Sequence, residues 1–253
     1  MITKRDAVIG IGISDDPERV FSGIGQYSGP CTVRCYVTPA VVVPDYFSGT
    51  ITCSEKPEEA LIQDLHAGVI QAGVRGSLPS DRTIRRIKDT FCVSEIERVV
   101  LLETAAGDRF FLAPVGIDEG WTIKQKLSLI EKGRAICRKF GLSDRVTVLS
   151  GGRITDVGRH QVVDRTLADA ELISRLTGAD HLGILIEDAV KKSGLIIAPD
   201  GISGNLIFRT LIFLGNGRSH GAPVLNISKI FVDTSRVNPD YHYALILAGT
   251  MID

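Results

Sequence analysis

Short apolar, β-branched runs alternate with amphipathic stretches along the whole chain, and this alternation constrains the fold more than any other feature. Residues 7–13 (Ala7-Val8-Ile9-Gly10-Ile11-Gly12-Ile13) form the first run, and residues 32–37, 49–53, 68–73, 98–103, 109–113, 145–150, 195–199, 224–227 and 229–233 follow. Runs this short and this apolar read as buried strands. Between them lie helical stretches with their own punctuation. Ser14 or Asp15 caps the first, with Pro17 in its opening turn. Lys56 to Ala60 starts the second, and residues 80–91 form the third. Residues 122–140 form the longest and stop at Gly141. Residues 165–177 close on Gly178, residues 184–192 and 203–213 follow, and Asn238 with Pro239 opens the last. Strand–helix alternation predicts βαβ units and a largely parallel sheet. Ala106-Gly107-Asp108 between two apolar runs adds one antiparallel hairpin. The expected fold class is α/β, in one two-lobed unit. The approximate lobes are residues 1–118 and 119–253, with a boundary near Gly116 to Trp121 and a late return of the chain.

Composition excludes several function classes. Lys plus Arg number 29 and Asp plus Glu 30, a formal net charge of −1 over 253 residues, so the chain lacks the basic excess of a general nucleic-acid binder. No apolar run approaches membrane-spanning length, and the first residues lack a small-residue cleavage site. A cytoplasmic protein with no nucleic-acid or membrane partner is the expectation. The five cysteines are Cys31, Cys35, Cys53, Cys92 and Cys137. They are read as reduced thiols, since no second Cys or His pair sits at zinc spacing. No metal site is expected.

In open α/β sheets ligands bind beyond the carboxyl ends of the strands, so candidate residues are sought there. Gly10-Ile11-Gly12 lacks the third glycine of a dinucleotide fingerprint and reads as a buried strand. Arg75 and Ser77, in Val74-Arg75-Gly76-Ser77, can hold an anion, because a guanidinium and hydroxyls fit phosphate oxygens. Ser150-Gly151-Gly152-Arg153 follows another strand, where paired glycines let a ligand approach the backbone. Asp200-Gly201-Ile202-Ser203-Gly204-Asn205 opens a helix whose free N–H groups favour an anion. Gly201 and Gly204 there clear space, and Asn205 supplies a hydrogen bond. Ser235 and Arg236 follow the last strand, as a phosphate or thiol partner and an anion clamp, or as caps of the helix after them. The chain contains no Walker A motif. Its five His (His66, His160, His181, His220 and His242) are scattered, with no pair at metal spacing.

Pro199-Asp200-Gly201-Ile202-Ser203-Gly204-Asn205 resembles the D-G-x-x-G-N segment of PlsX-type phosphate acyltransferases. It is also similar to the P-D-x-x-x-G-N segment of phosphate acetyl- and butyryltransferases. In the latter an apolar strand and a Ser-Arg pair follow, as Pro223 to Ile227 and Ser235-Arg236 do here. Over nearly its full length the chain resembles an archaeal family, methanogenesis marker protein 4, also called mtx subunit X. The resemblance implies the isocitrate/isopropylmalate dehydrogenase-like fold, two lobes around a cleft and a homodimer. It also implies catalytic roles for Ser235, Arg236 and Asp240 toward phosphate and a coenzyme A-type thiol, with no other cofactor. The segment Val237-Asn238-Pro239-Asp240 is shorter than the acyltransferase spacing, so phosphate or acyl-phosphate binding is matched better than a specific acyl transfer. The alternative is an accessory protein of methanogenic methyl transfer with a methyltransferase partner. A methyltransferase proper is the least supported reading, since no S-adenosylmethionine loop and no corrinoid-binding run is present.

Overall fold

A computed structural model describes residues 6–235 and 240–252. The chain divides into two compact units, residues 1–96 with 220–253, and residues 97–219. The hairpin falls with the second unit because its first strand pairs along its whole length with its second. The division therefore comes some twenty residues earlier than the expected boundary near Gly116.

The first unit is built on β1 (Val8–Ile13), β2 (Thr32–Val37), β3 (Thr50–Cys53), β4 (Ala72–Val74), β10 (Arg218–Pro223) and β11 (Ile230–Asp233). Four parallel pairings give the order β3-β2-β1-β4-β11, and β10 pairs antiparallel with β11. Its helices are α1 (Pro17–Gly25), α2 (Pro57–Ala67), α3 (Ser80–Phe91) and α8 (His242–Met251). Tyr36, Leu61, Ile62, Leu65, Ile70 and Phe231 belong to one buried cluster of its core. Gly10 and Gly12 are part of that packing. A Cβ on Gly10 would lie 2.5 Å from Ile70 Cδ1, and one on Gly12 would lie 2.0 Å from Leu78 Cδ1. These glycines admit large side chains over the strand, and the buried-strand reading of the segment stands.

The second unit holds β5 (Val100–Glu103), β6 (Arg109–Ala113), β7 (Val146–Val148), β8 (Asp180–His181) and β9 (Leu195–Ile197). β6, β9, β7 and β8 are parallel neighbours in that order, and β5 is antiparallel to β6. The helices are α4 (Ile123–Lys139), α5 (Gln161–Thr177), the single turn α6 (Ile186–Ala189) and α7 (Gly201–Phe213). Thr122 accepts from Gln125 N while the Gln125 side chain accepts from Thr122 N, so a capping box starts α4. Leu195, Ile196 and Ile197 are fully buried, as a central parallel strand requires.

Several expectations shift. Asp16, not Ser14 or Asp15, caps α1. β4 begins at Ala72, because Gly68 to Gln71 make the turn that ends α2. α5 starts four residues earlier than expected, capped by His160. β10 lies at 218–223 rather than 224–227. Asn238 and Pro239, expected to open the last helix, lie outside the described residues. No helix among the described residues is long and apolar enough to cross a membrane.

Candidate functional site

In the second unit the parallel strands bring two expected segments to one edge. β7 and β9 are hydrogen-bonded neighbours, and Leu149 N continues the ladder to Ile197 O at 2.8 Å. Ser150–Arg153 and Asp200–Asn205 therefore leave the sheet side by side, at its carboxyl edge.

The Asp200–Asn205 turn is tightly built. Asp200 caps α7 by accepting from Ser203 N at 2.8 Å. Gly201 N donates to Glu119 O, and Asn205 Nδ2 donates to Val115 O at 3.0 Å. A Cβ on Gly201 would sit 1.7 Å from Gly116 O, and one on Gly204 would sit 1.8 Å from Pro114 O. The space these glycines clear is filled by the chain's own segment after β6. That segment is braced in turn, since Glu119 accepts from Gly116 N and from Arg98 Nε, the latter at 2.7 Å. Burial pushes the Glu119 carboxyl up, against the pull of Arg98. Asp200→Ala removes the cap and should cost about 1 kcal/mol of stability, read as a lower urea midpoint at unchanged slope.

The other segment is more open. Gly151 is exposed, and its N–H donates to Thr166 Oγ1 at 2.8 Å. Arg153 is exposed, and its backbone N–H donates to Asp156 Oδ2. That bond comes first, and Arg159 second, in holding the Asp156 carboxyl below its usual range. Ser150 is buried, with Oγ 2.9 Å from Gly152 O and 2.9 Å from His181 Nε2.

Sequence reasoning passed over three neighbours of this edge. His181 closes a strand of only two residues, too short for an apolar pattern to reveal. Glu171 on α5 faces the far side of the same ring. Lys126, in the first turn of α4, is 5% exposed in its side chain and lies 3.9 Å from Asp169. Burial pushes its ammonium down, with Asp169 and then Asp200 opposing. A Lys on the core-facing side of this helix was the available signal.

In the first unit the ends of β4 and β11 are also neighbours. Arg75 is buried there, with Nε paired to Asp233 and Nη1 donating to Leu78 O at 2.7 Å. Ser77 is fully buried; its Oγ accepts from Ser14 N and its carbonyl accepts from Ser14 Oγ. Gly76 between them takes a φ of +61°, and a Cβ there would lie 2.0 Å from Gly12 O. Thr234 Oγ1 donates to Gly76 O at 2.8 Å. The groups read as anion ligands are thus engaged in tying this turn to the sheet. Ser235 follows, its carbonyl accepting from Tyr241 Oη. Asp240 Oδ1 accepts from the backbone N of His242 and lies 2.6 Å from His242 Nδ1. Arg236 lies outside the described residues.

Burial pushes the Cys35 and Cys137 thiols up to about 12, so neither is a thiolate near neutrality. No group of three or more His, Cys, Asp or Glu among the described residues is arranged to hold a metal. A cavity of about 510 Å³ lies elsewhere in the second unit, lined by Phe110, Ile186, Val190, Leu206, Leu211 and Leu214 among others. Its walls are too apolar to hold an anion.

No family model matches the chain. A Methanosarcina barkeri protein described as "Putative methyltransferase mtx subunit X" is 47% identical over 203 residues, 78% of this chain and 75% of that one. The chain belongs to the mtx subunit X family. The Methanosarcina mazei member is 49% identical over 203 residues, 78% of this chain and 72% of its own. Several solved structures share the fold of this chain. A branched-chain phosphotransacylase from Enterococcus faecalis matches with a TM-score of 0.75 at 13% identity, over 98% of this chain and 100% of that one. A phosphotransacetylase from Streptococcus pyogenes matches at 0.67 and 16% identity, over 99% and 95%. Isocitrate dehydrogenase from Methylococcus capsulatus matches at 0.55 and 12%, over 97% and 84%. The chain therefore has the isocitrate dehydrogenase-like α/β fold that the family resemblance implied.

Proposed function

We propose that this member of the mtx subunit X family binds phosphate or an acyl phosphate and transfers the acyl group between phosphate and a thiol of the coenzyme A type. The observation that carries this reading is the Ser150-Gly151-Gly152-Arg153 segment. In it Gly151 and Arg153 are exposed at a strand end, in a fold shared over its length with phosphotransacylases. In the transfer, a thiolate sulfur attacks the acyl carbon. The carbon–oxygen bond to phosphate breaks, and phosphate leaves with the electron pair. Arg153 neutralises the phosphate at the end of its strand. The enzyme's contribution is to hold the two reactants and stabilise charge, without a covalent enzyme intermediate. Homodimer formation and a role in methanogenesis belong to the same reading.

The test is a thermal-shift series with phosphate, acetyl phosphate and coenzyme A, followed by exchange of labelled phosphate into acetyl phosphate in the presence of coenzyme A. A ligand at about 100 times its Kd should add about 2.7 kcal/mol. A shift with S-adenosylmethionine or a corrinoid alone would overturn the reading, and a burst of acyl-enzyme in rapid quench would overturn the direct mechanism. The word "subunit" in the relatives' names favours a second reading, an accessory protein of methyl transfer. Recovery of a methyltransferase in a pull-down, with no response to any phosphate ligand, is its signature.

A further inference from the structure

His181 ends β8, the strand beside β7, and in the parallel register it pairs with Val148. Two residues beyond that pair, Ser150 Oγ meets His181 Nε2 at 2.9 Å. The other ring nitrogen, Nδ1, lies 3.4 Å from Glu171 Oε2. Arg175 holds the same carboxylate through Oε1 at 2.9 Å. The His181 side chain is 10% exposed and Ser150 is 1% exposed. These residues form a serine–histidine–carboxylate chain that the chain's scattered histidines did not suggest.

Counting protons decides what this chain does. A serine hydroxyl has one proton to give. Ser150 Oγ lies 2.9 Å from the Gly152 carbonyl oxygen as well as from the ring. A carbonyl can only accept, so the serine proton goes to Gly152 O and the ring donates to Oγ from Nε2. The reverse order, with serine donating to the ring, is that of an activated nucleophile. It would leave the Gly152 carbonyl facing a lone pair.

We propose that His181 is a positioning residue of an oxyanion subsite: it donates from Nε2 to Ser150 and so turns the serine proton toward the 150–153 segment, where a phosphate oxygen takes the place of the Gly152 carbonyl. The inference rests on the phosphate reading above and deepens it. Its ligand class is a tetrahedral oxyanion, and Ser150 acts as a donor that forms no covalent bond. Glu171 accepts from Nδ1 on the far side of the ring, so both ring nitrogens are donors in this arrangement. Its carboxyl is held below the usual range first by the His181 hydrogen bond and then by Arg175, so it is present as an acceptor.

Two measurements on the full chain test this. Nitrogen-15 spectra of the histidine-labelled protein, with and without inorganic phosphate, should show a proton on His181 Nε2 in both states. Calorimetric titration with inorganic phosphate should show His181→Ala weakened about tenfold. His181→Gln, whose amide can donate over a similar reach, should stay close to the unaltered protein. A bare Nε2, equal losses in both variants, or unchanged binding in His181→Ala would overturn the subsite alone. No binding of phosphate or acyl phosphate by the unaltered protein would overturn the phosphate reading and the subsite with it. The spectra need no variant, so a misfolded substitution leaves the proposal exposed to test.

Discussion

Replacing Arg75 by alanine is expected to remove about 3–5 kcal/mol from the folded state, making it one of the two most damaging changes considered. The guanidinium is buried, pairs through Nε with Asp233 and donates through Nη1 to Leu78 O. Deleting it leaves the Asp233 carboxylate desolvated beside a turn that has lost its anchor. The same deletion frees the Leu78 carbonyl, and a buried acceptor without a partner adds its own cost. Urea unfolding of Arg75→Ala, Asp233→Ala and the double variant gives the check. The double should cost less than the sum, since each single deletion already breaks the same Arg75–Asp233 pair. A small loss of stability joined to a large loss of phosphate affinity would instead make Arg75 a ligand of the anion.

Arg75 also marks where the sequence was and was not legible. The alternation of strand and helix was plain, because buried parallel strands are short apolar runs and their helices are amphipathic, each with its own end signals. β1, β2, α3, β6 and α4 follow directly from such patterns. Elements without a core-facing stripe escaped: β8 has two residues, both only half-buried, and its His181 went unread with it. β10, Arg-Ser-His-Gly-Ala-Pro, pairs with β11 over its last residues alone and carries no apolar period. Arg75, Ser150 and Asp200 follow strands as read, but composition could not say what each one faces. Arg75 and Ser77 fit an anion by residue type, and only the three-dimensional structure shows Asp233 and Ser14 already bonded to them. Ser150 shows the converse, since its ring partner is 31 residues away and becomes a neighbour only through parallel pairing.

Gly204→Ala is the second large effect expected, a net loss of about 2–3 kcal/mol. In an exposed helix the same change would be favourable by about 1 kcal/mol, because alanine has less backbone entropy to lose. Here the added methyl would lie 1.8 Å from Pro114 O and 3.0 Å from Pro114 C. The obstacle is backbone held by its neighbours: Asn205 Nδ2 ties Val115 O, and Glu119 ties Gly116 N. Neither side can yield cheaply, so the start of α7 must move off the segment after β6. That displacement would disturb the Asp200 cap and the bond from Gly201 N to Glu119 O together. Gly25, the last residue of α1, has nothing within 4 Å of a built Cβ, and Gly25→Ala is the matched control, expected to be neutral or slightly stabilising. Equal midpoints for the two variants in thermal and urea unfolding would show that the α7 start can relax. The close approach of Gly204 to Pro114 would then not be what fixes the Asp200–Asn205 turn beside Ser150–Arg153.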